Sequence, residues 1–291
     1  MRLQITGTVV NATEAKSAGT LYLHSGGRRW AARLDRPFDL SIPLTFGAAQ
    51  PAFFDAPAAS ATVLEGGGFV GDVRRGGSCN CASYSLIPHC NGTHTECVGH
   101  ITEDPVSIRD IAIAHFVPAL LISVHPQARS LSNEDAGPLA QDADLLITES
   151  ALVAAAGSAA LAACKAIIIR TLPNTAEKLR RNYSAAPLPP YFTAAAMRWM
   201  VSHGIEHVVV DVPSLDRSDD GGKLAAHRVF WGMAPGATDS ALAQRRQATV
   251  TEMAYIDAAI PDGPYLLNLQ VAPFATDAAP SRPILYALEG Q

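Results

Sequence analysis

From residue 143 onward, short continuous apolar runs alternate with alanine-rich stretches, and this rhythm restricts the fold more than any other feature of the chain. ADLLIT (143–148), KAIIIRT (165–171) and IEHVVVD (205–211) read as strands, as does the earlier run ALLISVH (119–125). Runs that are apolar throughout, bounded by turn residues, belong to strands buried on both faces. Between them, SALVAAAGSAALAAC (150–164) predicts a helix capped by Ser150. TAAAMRWMVSHG (193–204) predicts a second helix with Thr193 as N-cap and Gly204 as its stop. Alternating strands and helices imply a parallel sheet with helices packed against it.

The flanks read differently. QITGTVV (4–10), TLYLHS (20–25) and RRWAARL (28–34) are short alternating strands separated by turn residues, and PYLLNLQVAPF (264–274) and RPILYAL (282–288) return to strand. No internal repeat or low-complexity linker divides the sequence. The expectation is one α/β domain spanning 1–291, with a mixed sheet, flanking helices and a β-rich N-terminal extension over 1–36.

The chemistry concentrates in SYSLIPHCNGTHTECVGHIT (83–102), where three histidines, two cysteines and a glutamate fall within residues 89–100. Read as an extended strand, this segment puts Cys90, Gly92, His94, Glu96, Val98 and His100 on one face and His89 on the other. Four potential donors on one face suit a divalent transition metal bound by N, O and S ligands. The bland reading is a half-buried strand whose histidines bond to backbone. A zinc ribbon from Cys79, Cys81, Cys90 and Cys97 is a weaker reading, because its spacing departs from the usual pairs. A further carboxylate cluster, Asp211, Ser214 and Asp216, lies where strand 205–211 exits, the end of an α/β sheet at which ligands gather; a polar turn explains the same residues.

Composition narrows the partner. With 48% hydrophobic residues, 17% charged and a net charge of −5, the 291-residue chain can bury a large core. Its basic residues are scattered, so no nucleic-acid or anionic-membrane footprint is expected, and no apolar run is long enough to span a bilayer. The first residues lack the features of a secretory signal, and five cysteines, an odd number, read as ligands or buried thiols, so a cytoplasmic location is the default expectation. The partner expected is a small molecule.

The spacing from 90 to 100 resembles the signature of the cyclase family that includes bacterial kynurenine formamidase and isatin hydrolase, His-x-Gly-Thr-His-x-Asp-x-Pro-x-His. Cys90, Gly92, Thr93, His94, Glu96, Val98 and His100 occupy those positions, with Cys for the first His, Glu for Asp and Val for Pro. FDLSIPL (38–44), AIIIRT, IEHVVVDVPSLD, GKLAAHRVFW and TVTEMAYID resemble further family segments in the same order. The resemblance implies a swivelling β/β/α architecture and metal-dependent hydrolysis of an amide, formamide or cyclic amide. It implies one or two divalent ions held by Cys90, His94, Glu96, His227 and Glu252, with His100 as general acid/base. Phe53 and Phe54, on a long loop, fall where the family places an aromatic against the substrate. A homodimer or homotetramer is implied as well. Family members use zinc or manganese, and a thiolate at Cys90 favours zinc. Whether Cys90 or His89 is the first ligand stays open, as does Cys90 acting as a nucleophile. The alternative function is a non-catalytic, metal-stabilised small-molecule-binding protein on the same scaffold.

Overall fold

The computed structural model describes residues 2–4, 19–25, 28–157, 161, 163–185 and 187–290. Seven strands close on themselves: β1 (His94–Glu96), β2 (Val117–Val124), β3 (Ala166–Thr171), β4 (His207–Val210), β5 (Thr249–Glu252), β6 (Gly263–Val271) and β7 (Ala278–Gly290). Their order around the ring is β1-β5-β4-β3-β2-β6-β7, and β7 pairs back onto β1. Strands β2 to β5 are mutually parallel. β6, β7 and β1 are antiparallel to their neighbours. The chain is thus a single α/β domain with a mixed barrel and few helices.

The apolar runs are continuous because both faces of the parallel strands are buried. Val117, Ala119, Leu121, Ile168 and Val209 meet Tyr265, Leu267 and Leu285 of β6 and β7 inside the barrel. Leu120, Ile122, Ile167, Ile169, Val208 and Val210 point outward against the helices. Each such side chain contributes about 1.5–3 kcal/mol on full burial, so the two layers lock the strands from both sides.

Four α-helices lie among the described residues: α1 (Pro88–Asn91), α2 (Glu149–Ala156), α3 (Ala194–Ser202) and α4 (Ala225–Trp231). α3 begins and ends as its sequence requires. Thr193 Oγ1 accepts from Ala196 N at 3.1 Å, and Gly204, at φ +70°, donates to Val201 O. The cap of α2 lies two residues before the expected one. Thr148, not Ser150, accepts from Ala151 N, and Glu134 reaches across to accept from Glu149 N and Ser150 N. The helix ends at Gly157, whose φ of +58° breaks the repeat, and residues 158–160 and 162 of the expected longer helix lie outside the described residues. At the N-terminus, strands Thr20–Ser25 and Arg28–Arg33 form a hairpin whose second strand extends the sheet through Ala32 opposite Leu288. Beyond Gln4, the expected strand over 4–10 falls outside the described residues.

Candidate metal centre

Residues 83–102 do not form one extended strand. They fold as a short strand over Ala82–Ser85, the single turn α1, the three-residue β1 and a 3-10 turn over Val98–Ile101. Pro88 opens α1, where its fixed φ suits a helix start, and the Ile87 carbonyl accepts from Cys90 N and Asn91 N. A helical turn abolishes the two-residue alternation on which His89 was expected to face away. His89 instead turns in, with Nδ1 3.0 Å from Glu96 Oε2 and its ring 5.1 Å from that of His94 and 4.4 Å from that of His100.

Register brings in the distant carboxylate. Glu252 on β5 sits directly opposite His94 on β1, and residues opposed across an antiparallel pair project to the same face. Thr95 and Thr251, one residue along, point the other way and hydrogen-bond to each other at 2.8 Å. Glu252 Oε2 therefore lies 3.4 Å from His94 Nε2, and its Oε1 accepts from Leu215 N at 2.8 Å.

His227 arrives from α4. Asp216, at the exit of β4, accepts from Ala226 N at 2.7 Å and His227 N at 3.2 Å, capping the first turn of that helix. Its Oδ2 also accepts from His227 Nδ1 at 2.6 Å. This bond fixes the ring so that Nε2 points to Glu96 Oε1 at 2.9 Å and Glu252 Oε1 at 3.4 Å. His94 is held in a parallel manner, since its Nδ1 lies 3.0 Å from the Gly92 carbonyl and donates to it, which leaves Nε2 bare. Glu96 stands in the middle, one oxygen toward His227 and the other toward His89 and, at 3.8 Å, His100.

Protonation follows from this crowding. Burial opposes charge on Glu96, but the imidazoles of His100, His227 and His89 outweigh it and hold the carboxyl well below its usual range. Burial and Glu96 both work against ionised Glu252, yet His227 and His94 leave it lowered. His89 is driven down by burial and more strongly up by Asp277 and Glu96, to about 10. His227 is likewise raised well above its ordinary value, chiefly by Glu96 and Asp216 against burial.

The donor atoms fit a divalent cation better than they fit one another. His94 Nε2, Glu96 Oε1, Glu96 Oε2 and His227 Nε2 are all buried, and none has a hydrogen bond of acceptable geometry. Buried polar atoms without partners are costly, so four gathered about one carboxylate call for a ligand on its His94 side, its His227 side or both. Three groups of side chains each bring one ligand atom within 4.8 Å of one another: His89, His94 and Glu96; Glu96, His100 and His227; and His89, His100 and Asp277.

Neither Cys90 nor Glu252 belongs to these groups among the described residues, but Glu252 lies 3.4 Å from both His94 Nε2 and His227 Nε2. Cys90 is buried on α1, and burial, with Glu252 second, pushes its thiol up. Phe53 and Phe54 stack at 3.9 Å between ring centroids beside a cleft of about 290 Å³ that His89, His100, Ser214 and Glu252 also line. Phe53 is 1% exposed and Phe54 60%, so Phe54 offers the freer ring. Trp231 packs beside His227 and donates to Ala248 O; it is core.

Two residues at the site had no assigned role in the sequence. Asp216 was visible as part of a strand-exit cluster, but its bond to His227 depends on a helix eleven residues on. Asp277, in the connection from β6 to β7, gives no local signal: its Oδ2 lies 2.8 Å from His89 Nε2 and 3.4 Å from His100 Nδ1. The model of the family described as "Putative cyclase" matches residues 38–217.

The chain belongs to the cyclase family. That match spans β1 to β4 and all of the site except His227, Glu252 and Asp277. The cyclase fold also appears in the solved-structure comparisons. The predicted metal-dependent hydrolase from Bacillus stearothermophilus is 15% identical, with a TM-score of 0.54 over 86% of this chain and 98% of that one. Isatin hydrolase A from Labrenzia aggregata is 14% identical, with a TM-score of 0.58 over 87% and 94%. Isatin hydrolase A from Ralstonia solanacearum is 16% identical, with a TM-score of 0.53 over 87% and 92%. At these identities the likeness is one of fold. No curated protein matches the chain.

Proposed function

We propose that this cyclase-family protein is a metal-dependent hydrolase acting on an amide, formamide or cyclic amide bond of a small molecule. The observation that carries the reading is the gathering about Glu96 of buried, unpartnered donor atoms from His94, Glu96 and His227, beside a cleft lined by His89, His100 and Glu252. The names of similar structures, a metal-dependent hydrolase and isatin hydrolases, support the reaction class.

His89, His94, Glu96, His227 and Glu252 would hold the ion or ions, with Glu96 disposed between the His89 and His227 sides so that it could serve two. A divalent cation bound there supplies Lewis acidity, polarising a carbonyl and lowering the pKa of water from about 15.7 toward 7. The expected preference for zinc rested on a thiolate at Cys90. A set of imidazoles and carboxylates suits zinc and manganese alike, and this donor set favours His89 over Cys90.

The chain's own groups perform the rest. Glu96 and Glu252 bring negative charge that must be balanced by a cation when the imidazoles are neutral. Asp216 and the Gly92 carbonyl hold the protons of His227 and His94 on the far ring nitrogens. His100, half-buried at the cleft, takes a proton from the attacking water as oxygen bonds to the carbonyl carbon. It then returns that proton to nitrogen as the C–N bond breaks. Phe54 offers a wall to an aromatic ring, and a cleft of about 290 Å³ is matched to a compact substrate.

The test is turnover of a panel of N-formyl arylamines and cyclic amides by protein stripped with a chelator and reloaded with zinc or manganese. Hydrolysis that requires the metal and is lost in His100→Ala supports the reading. Metal uptake without hydrolysis of any member supports the non-catalytic alternative.

A further inference from the structure

Each of three imidazoles beside Glu96 is tied at the ring nitrogen remote from the converging donors. His94 is tied through Nδ1 to the Gly92 carbonyl and His227 through Nδ1 to Asp216 Oδ2. His89 presents the opposite edge: Nδ1 faces Glu96, and Nε2 is tied to Asp277 Oδ2 at 2.8 Å. The same oxygen lies 3.4 Å from His100 Nδ1. One carboxylate thus touches both the imidazole that enters the site from α1 and the one that faces the cleft.

Asp277 is itself set in place by three separate features. Ala278, the next residue, pairs with Glu96 in the β1–β7 ladder. The Asp277 carbonyl accepts from Cys97 N at 3.0 Å, joining it to the start of the turn that carries His100. At Gly99, within that turn, an added Cβ would come 3.2 Å from Asp277 Cβ and 2.2 Å from the Val106 carbonyl oxygen, so glycine is what lets the turn approach so closely. His89 itself sits on a single helical turn, with its side chain 24% exposed and its ring beside those of His94 and His100.

We propose that Asp277 is a positioning residue of the metal centre, orienting His89 toward Glu96 and holding His100 beside it. The inference rests on the proposed metal-dependent reading. A carboxylate that fixes the tautomer and orientation of a ligating histidine raises metal affinity about 10–100-fold. Here that carboxylate comes from the far end of the chain, which explains how a ligand supplied from position 89 can serve a site spaced for position 90.

The experiment compares the wild type, Asp277→Ala and Asp277→Asn after chelation, each titrated with zinc against a chromophoric competitor and, separately, loaded with cobalt(II) for its visible spectrum. Asp277→Ala is expected to bind zinc about 10–100-fold more weakly and to alter the cobalt spectrum. Asp277→Asn keeps an acceptor oxygen for His89 Nε2–H and is expected to recover part of the affinity. It carries the test should the alanine variant fail to fold. Wild-type affinity and an unchanged cobalt spectrum in the substituted protein would overturn the role of Asp277. Failure of the wild type to take up any metal would overturn the hydrolase reading, and this inference with it.

Discussion

His89 and Cys90 are neighbours in sequence, and the backbone between them decides which one serves the site. On a strand the two would face opposite ways with Cys90 inward; on the turn begun by Pro88, His89 reaches Glu96 and Cys90 stays out of every donor group. His89→Ala is therefore expected to lower metal stoichiometry or affinity, while Cys90→Ala retains both, as elemental analysis after dialysis will read. Equal loss in the two variants would restore the thiolate. His100→Ala is expected to reduce kcat about 10²–10⁴-fold with metal still bound; an unchanged turnover number removes its acid/base role. In chelator-treated protein, the charge interactions of His89 raise its folded pKa from 6.5 to about 10. A raised folded pKa means that their stabilisation is complete below pH 6.5 and lost as pH rises through 10. The stability difference between wild type and His89→Gln in urea should follow that course, and a difference growing with pH would contradict it.

Among the elements, β1, β5 and α4 do most to shape the site, and they were unequally visible in the sequence. Glu252 was legible because TVTEMAYID stands in family order before a strand, and the β1–β5 register then sets it opposite His94. His227 was legible as a downstream histidine, but Asp216, which both caps α4 and orients that ring, was read only as part of a polar strand exit. The barrel strands were plain because burial on both faces leaves continuous apolar runs. The helical turn at 88–91 was hidden because four residues carry too little periodicity to outweigh an apparently alternating pattern. Asp277 was hidden entirely, since nothing local marks a residue whose partners lie nearly two hundred positions away. Away from the site, Thr193 caps α3 and its hydroxyl donates to Glu134, which in turn holds the start of α2. Thr193→Ala is expected to cost about 1–2 kcal/mol in urea unfolding without changing metal affinity. A loss confined to metal binding would mean that these helices are coupled to the centre more directly than their packing indicates.

At the scale of the molecule, a closed barrel supplies a rigid wall on whose outer face β1 and β5 present the donors, while α4 supplies one imidazole and the β6–β7 connection supplies Asp277. Rigidity matters because the buried carboxylates and imidazoles are held close whether or not each finds a hydrogen bond, and that arrangement is stable only if something shared satisfies them. A ligand that binds only the folded state raises the unfolding temperature by mass action, so added zinc or manganese should stabilise the wild type and do so less in Glu96→Gln. The most direct measurement is calorimetric titration of chelator-stripped protein with a divalent metal, with His94→Ala and Glu252→Gln run alongside. Saturable uptake of one or two equivalents by the wild type, weakened in both variants, is the expected result. Binding that is absent from the wild type, or unaltered when residues 94 and 252 are changed, would contradict the account.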